Sequence, residues 1–308
     1  MLIQWYPGHM HKAGKEIKHA LTDIDLIIEI LDSRIPFSSE NPKLAQLRGD
    51  KPCIKLLSKS DLADPKITHL WQTHLEQQQG VKTLAISVQE PDSIAQIPKL
   101  CRRMIAHKES RNLHALIMGI PNVGKSTLIN KMAGRVIAKT GNEPAITKAI
   151  QRIELNNGIT LFDTPGMLWP NVDNQNSGYR LASTGAIRDT AISHDDIAFF
   201  TAEYLLIAYP HLLQERFKLA QLPATEKELL EIIGKNRGCL QTGGVVNMDQ
   251  ISKIFLSEFR AGTIGRISLE TPTMAVQEFA QLLLLREKKA AEKEAKKRER
   301  KKRFKVAR

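Results

Sequence analysis

The sequence predicts an α/β fold with a mostly parallel sheet, followed by a small all-helical domain and a basic tail. Three observations carry that reading. Strand-length apolar runs alternate with helical stretches over the first half of the chain. One such run leads through the loop Gly119-Ile-Pro-Asn-Val-Gly124-Lys125-Ser126 directly into a helix-forming segment. After about Asn174 the strand signals fade and helical periodicity dominates.

Taken in order, Gln4 to His9 is a turn-rich lead-in and Lys12 to Leu21 has the apolar spacing of a short surface helix. Asp25-Leu-Ile-Ile-Glu-Ile-Leu-Asp32 reads as a buried strand, with a Pro- and Ser-containing loop over Arg34 to Pro42. Further strands are expected at Cys53 to Ser58, Lys82 to Ser87, His114 to Met118 and Ile159 to Asp163, with a helix over Ile94 to His107. Gly134 to Thr147 reads as a mobile connection. In the second half, Asp196 to Tyr209 and Gln250 to Arg260 have amphipathic spacing, and Thr225-Glu-Lys-Glu228 is spaced as a capping box. Gly238 and Gly262 read as helix stops. The expected division is therefore a nucleotide-binding domain over 1–178, a helical domain over 179–285 and a basic, disordered tail over 286–308.

The 308 residues suffice for a full core plus an accessory domain. The formal net charge is +12, and Arg286 to Arg308 supplies most of it, with 13 Lys or Arg against 4 Glu. Such a run is either a solvated tail or a contact for RNA backbone. Cys53, Cys101 and Cys239 are too scattered for a disulfide framework or a cysteine zinc site and read as small buried hydrophobes. No apolar stretch is long enough to span a bilayer, and the first residues lack a secretory signal pattern, so the expected location is cytoplasmic.

A strand, then G-x-x-x-x-G-K-S, then a helix is the context in which a glycine loop cradles phosphates. Gly119 and Gly124 let backbone N–H groups turn toward phosphate oxygens, with Asn122, Val123 and Thr127 beside them. Lys125 neutralises the β- and γ-phosphates and Ser126 offers a hydroxyl to Mg²⁺. Asp163, at a strand end about forty residues on, is placed to hold Mg²⁺, and the Gly166 N–H to meet the γ-phosphate. Thr147 is the candidate switch threonine reaching both. Ser58-Lys59-Ser60-Asp61 has the form of a guanine-reading motif. Asp61 can accept from the adjacent guanine N1–H and exocyclic amino group, Lys59 can lie along the purine face, and Ser87 is the expected contact to the guanine carbonyl. Adenine would leave polar groups unpaired, at about 1–3 kcal/mol each. Ser58 stands where this motif usually has Asn, and its shorter side chain is expected to lose hydrogen bonds to the base or the phosphate loop. The guanine motif precedes the phosphate loop, the reverse of ordinary guanine-nucleotide switches. The expected fold is thus a circularly permuted P-loop GTPase domain using GTP/GDP.

Trp5-Tyr-Pro-Gly-His-Met10, Asp32-Ser-Arg-Ile-Pro36 with Ser38-Ser-Glu-Asn-Pro42, the phosphate loop, and Phe259-Arg-Ala-Gly262 with Gly265-Arg-Ile-Ser-Leu-Glu270 extend the pattern over nearly the whole chain. In these features the chain resembles the circularly permuted ribosome-assembly GTPases, and within them the ribosome biogenesis GTPase A family. Ser58 and Ala145, the latter where a glycine often precedes the switch Ile-Thr, are its departures. The resemblance implies a monomeric GTPase that binds a large ribosomal subunit precursor and its rRNA late in assembly, without a membrane. It also raises His9, on its own a turn histidine, to a catalytic candidate for orienting water, because Met167 occupies the position where many GTPases carry a water-positioning glutamine. Asn122 either caps the loop or, as in related GTPases, helps to hold K⁺. The alternative is a GTP-regulated RNA-binding module with negligible catalysis. A permuted GTPase acting on the small subunit is a weaker third reading, since neither an N-terminal barrel of short strands nor a Cys/His zinc cluster is found.

Overall fold

The computed structural model describes residues 17–42, 47–105, 112–137, 150–166, 174–187 and 193–306. Six strands form one sheet: β1 (Leu26–Asp32), β2 (Cys53–Ser58), β3 (Val81–Ala85), β4 (Leu113–Gly119), β5 (Gln151–Leu155) and β6 (Ile159–Asp163), in the spatial order β3-β2-β1-β4-β6-β5. All neighbours are parallel except β5 with β6. Central β1 is buried along its whole length because both faces are covered, which is why it is apolar but for Glu29 and the terminal Asp32. Ile28 and Ile30 face one core, while Ile27 faces the other with Cys53, Leu116 and Met118. Parallel pairing carries Asp32, Ser58, Gly119 and Asp163 to the same edge of the sheet, where ligands of such folds bind.

The first core continues from the sheet into the helices beyond it, through Leu181, Ile197, Leu205, Leu229 and Phe255. Those helices are Gln175–Ser183, His194–Ala208, Pro210–Phe217, Glu226–Asn236 and Met248–Arg260. Asn174, Thr225 and Asn247 cap three of them by accepting from first-turn N–H groups. Glu228 reaches back as a capping box requires, but to the N–H of Ala224, at 3.0 Å. Sheet and helices up to Glu270 form one compact unit, and the residues from Thr271 form a second.

Several elements differ from the sequence-based expectation. The stretch Arg34 to Pro42 is not all loop: Pro36–Ser39 is a short helix, begun by a proline whose ring is preset for a first turn. The helix expected from Ile94 starts at Pro91 for the same reason and ends at Met104. Strand β5, which was not foreseen, forms a hairpin with β6, and Gly158 turns it at φ 73°. Of the expected helix Lys12 to Leu21, residues 17–20 are helical before a 3₁₀ turn at Leu21–Asp23. Residues 286–306, expected as disordered tail, are the latter part of helix Pro272–Val306. Their Ala, Glu, Lys and Arg are all strong helix formers, so propensity alone favours that form. Among the described residues no helix is long and apolar enough to cross a membrane.

A buried ionic cluster closes the first unit. Glu270, fully buried, accepts from the Ser38 N–H at 3.0 Å, the Ser38 hydroxyl at 2.5 Å and the Arg180 guanidinium at 3.3 Å. Its backbone carbonyl accepts from Trp71 Nε1 at 3.1 Å. Removing one partner of such a pair strands the other charge out of water. Glu270→Ala is therefore expected to destabilise the protein by about 3–5 kcal/mol, read from urea unfolding.

Candidate functional site

The phosphate loop is shaped by two tight approaches. At Gly119, which ends β4, an added Cβ would lie 2.9 Å from the Ile30 carbonyl oxygen and 2.9 Å from Val123 Cγ1, so no larger residue fits. Gly124, at φ 96°, is the left-handed cap of helix Lys125–Ala133. Ser126 and Thr127 lie in that helix's first turn, whose N–H groups have no intrahelical partner and whose dipole favours an anion. Gly166 packs on the loop from the other side, where a Cβ would stand 3.2 Å from the Pro121 backbone. Thr164 fixes that second turn by donating its N–H and hydroxyl to the Ile117 carbonyl, at 3.2 and 3.0 Å.

Between the two turns, the buried Lys125 ammonium donates to Asp163 Oδ1. Burial pushes Lys125 below and Asp163 above their ordinary values, and each charge opposes the shift of the other. Asp163 Oδ2 is buried with no hydrogen-bond partner among the described residues. A hard cation accepts such an oxygen readily, so Asp163 and the neighbouring Ser126 fit Mg²⁺ by donor chemistry.

The turn Ser58-Lys59-Ser60-Asp61 is tied to this loop. Ser58 Oγ lies 2.7 Å from the Val123 carbonyl and 2.9 Å from that of Leu31, and its single proton serves one or the other. One bond to the phosphate loop is thus within reach of the shorter side chain, because β2 ends close to Val123. Lys59, left-handed at φ 57°, donates to the Asn122 carbonyl and to Asp32 Oδ2, each at 2.9 Å. Asp61 follows in the 3₁₀ turn Ser60–Leu62. The loop after β3 closes over the turn, with Ser60 N–H donating to the Ile86 carbonyl at 3.1 Å. There Ser87 is buried, its hydroxyl accepting from Gln89 N–H at 3.0 Å. The Asn122 side-chain Nδ2 donates to the Gly185 carbonyl at 2.8 Å. His9, Thr147, Ala145 and Met167 lie outside the described residues.

Sequence reasoning assigned no role to Asp32 or Arg34, although both were quoted as part of a motif. Arg34 grips Asp32 with a fork, Nε to Oδ1 at 2.9 Å and Nη2 to Oδ2 at 2.8 Å, and lies 5.4 Å from the centre of the Phe259 ring. Burial alone would raise the Asp32 carboxyl, but Arg34 and Lys59 outweigh it and hold the group well below the usual carboxylate range. The available signal was a charged pair, Asp-x-Arg, at the end of a mostly apolar strand.

A strand–loop–helix phosphate site and a guanine-type turn at the carboxyl edge of one sheet, with the turn earlier in the chain, define a circularly permuted P-loop GTPase. Residues 114–236 match the family described as 50S ribosome-binding GTPase. Ribosome biogenesis GTPase A of Bacillus pumilus is 42% identical, covering 88% of this chain and 99% of its own length. The Thermotoga maritima protein of the same name is 32% identical over 88% and 95%. A crystal structure of GNP-bound YlqF from T. maritima superposes with a TM-score of 0.60 at 28% identity, over 85% of this chain and 98% of that one. The chain belongs to the ribosome biogenesis GTPase A family, and it is a GTPase that binds guanine nucleotide.

Two outcomes follow from the geometry. A carboxylate with a depressed folded-state value contributes stability that is complete above the unfolded value near 4 and is lost as pH falls below it. The stability deficit of Asp32→Asn, measured by urea unfolding, should thus be full at pH 7 and narrow as the pH is lowered below about 4. Ser58→Ala removes the hydroxyl that bridges to Val123 and should weaken GDP binding about three- to tenfold in titration calorimetry, the equivalent of one hydrogen bond.

Proposed function

We propose that this GTPase binds a large ribosomal subunit precursor in its GTP form, promotes a late step of assembly, and leaves after hydrolysis. The observation that carries the reading is the shared carboxyl edge of β1, β2, β4 and β6, where Lys59 joins the Ser58–Asp61 turn to the phosphate loop and Lys125 joins that loop to Asp163-Thr-Pro-Gly166. The matched family, described as 50S ribosome-binding, and the curated relatives, named for ribosome biogenesis, support the large subunit as partner.

In this reading Asn122, Val123, Gly124, Lys125 and Thr127 surround the phosphates, with Lys125 as the neutralising charge. Asp61 reads the guanine edge, Lys59 its face, and Ser87 the side of its carbonyl. Ser126, Asp163 and the switch residue Thr147 hold Mg²⁺, which when bound would balance negative charge on the β- and γ-phosphates. Asn122 contributes to a K⁺ site beside the same phosphates, adding positive charge where the leaving oxygen gains electrons. Gly166 meets the γ-phosphate, so that loop responds to hydrolysis. His9 orients the attacking water once the ribosome orders the N-terminal segment, a role that Met167, a thioether, does not fill. Residues 1–178 carry the nucleotide chemistry, the helical residues 179–285 contact rRNA, and 286–308 add sequence-independent attraction to its backbone. The protein acts in the cytoplasm as a monomer.

The test is GTP hydrolysis in K⁺ buffer with and without purified large subunits or their precursors. Stimulation by these particles, reduced about 100-fold in His9→Ala, is the expected result. No stimulation by any large-subunit particle would mean a nucleotide-regulated RNA-binding module instead.

A further inference from the structure

The turn that carries Asp61 is poorly held by its own backbone. Ser60–Leu62 is a single 3₁₀ turn entered through a left-handed lysine. Its internal bonds are Leu62 N–H to the Lys59 carbonyl at 3.0 Å and a long one, Ala63 N–H to the Ser60 carbonyl, at 3.4 Å. Beside the Ser60 N–H bond to the Ile86 carbonyl, the turn is held from two hundred residues further along the chain. Arg266 Nη2 donates to the Ser60 carbonyl at 2.9 Å, and its Nε to the Ala63 carbonyl at 3.0 Å, so one guanidinium spans the turn from end to end. Ile267 N–H donates to the Leu62 carbonyl at 2.9 Å. Ser268 Oγ accepts from Asp64 N–H at 3.2 Å. Gly262, at φ 74°, lies so close that an added Cβ would stand 2.6 Å from Leu62 Cδ2.

We infer that Arg266 is a specificity-positioning residue: by bridging the Ser60 and Ala63 carbonyls it sets the turn so that the Asp61 carboxylate meets both donors of the guanine edge. In this role Arg266 acts through the turn, by the Ser60 and Ala63 carbonyls. A planar fork with fixed donor spacing suits two carbonyls at a set separation, which a flexible ammonium does not measure out. A carboxylate that must accept from two adjacent donors tolerates a displacement of only about half an ångström, so slackening the turn costs base discrimination before it costs phosphate binding. The inference rests on the reading of Asp61 as the guanine reader.

The experiment uses the full-length chain and compares affinities for GDP and inosine diphosphate, which keeps N1–H but lacks the exocyclic amino group. Arg266→Ala should narrow the GDP preference about three- to tenfold, mainly by weakening GDP, with Arg266→Gln, which keeps one donor, in between. In an Asp61→Ala background Arg266→Ala should leave the ratio unchanged. Equal weakening of both nucleotides, or an unaltered ratio while Asp61→Ala abolishes the preference, overturns the role of Arg266 and leaves the base-reading assignment standing. A preference that survives Asp61→Ala overturns that assignment and this inference with it.

Discussion

One buried carboxylate, Asp32 at the end of β1, holds the nucleotide site together. It accepts a guanidinium fork from Arg34 and an ammonium from Lys59, and through them it binds two different parts of the molecule. Lys59 continues to the phosphate loop through the Asn122 carbonyl. Arg34 continues to the helical region, under the Phe259 ring and within 3.4 Å of the Arg260 carbonyl. Taking each of these ions out of water costs several kcal/mol, and the cluster is tolerable only because every charge meets a directed partner. Such a cluster specifies one arrangement of its neighbours more sharply than apolar packing would, since any displacement strands a charge.

The helical region is joined to the site by further polar contacts. Arg260 donates to the Ala182 and Ser183 carbonyls at 2.9 and 3.0 Å, and next to them the Gly185 carbonyl receives the Asn122 side chain. A closed circuit of hydrogen bonds therefore runs from phosphate loop to Lys59, Asp32, Arg34, Arg260, the Ala182–Gly185 turn and back to Asn122. Glu270 with Arg180 and Ser38 ties the same helices to the turn after β1. The Ser58–Asp61 turn and the phosphate loop lie far apart in the chain, so these noncovalent links are what hold them in register.

Much of the architecture was legible because its signals are local. The buried central strands announce themselves as short, mostly apolar runs rich in isoleucine and leucine, and Cys53–Ser58 and Ile159–Asp163 fall where the pattern puts them. Strand β5 was missed although Gln151-Arg-Ile-Glu-Leu155 alternates, because only alternate residues of this edge strand are buried and its apolar signal is weak. The helix at Pro36–Ser39 was missed because it is one turn long and held by Ser38's bonds to Glu270, 232 residues away. That the Ser58 hydroxyl comes within reach of Val123 is not legible from side-chain length; the distance is a property of how β2 and β4 flank β1.

By itself the sequence determined the strand–helix alternation, the glycine loop and its lysine, the guanine-type turn and their reversed order, since each depends on residues within a few positions of one another. Only the tertiary structure decided that Asp32 would bridge Arg34 to Lys59, that Asp163 would pair with Lys125, and that Arg266 would clasp the turn bearing Asp61. The physical reason is that backbone periodicity and turn chemistry are written in neighbouring residues. The partner of a buried charge is set by which distant segments the common core brings within hydrogen-bond reach.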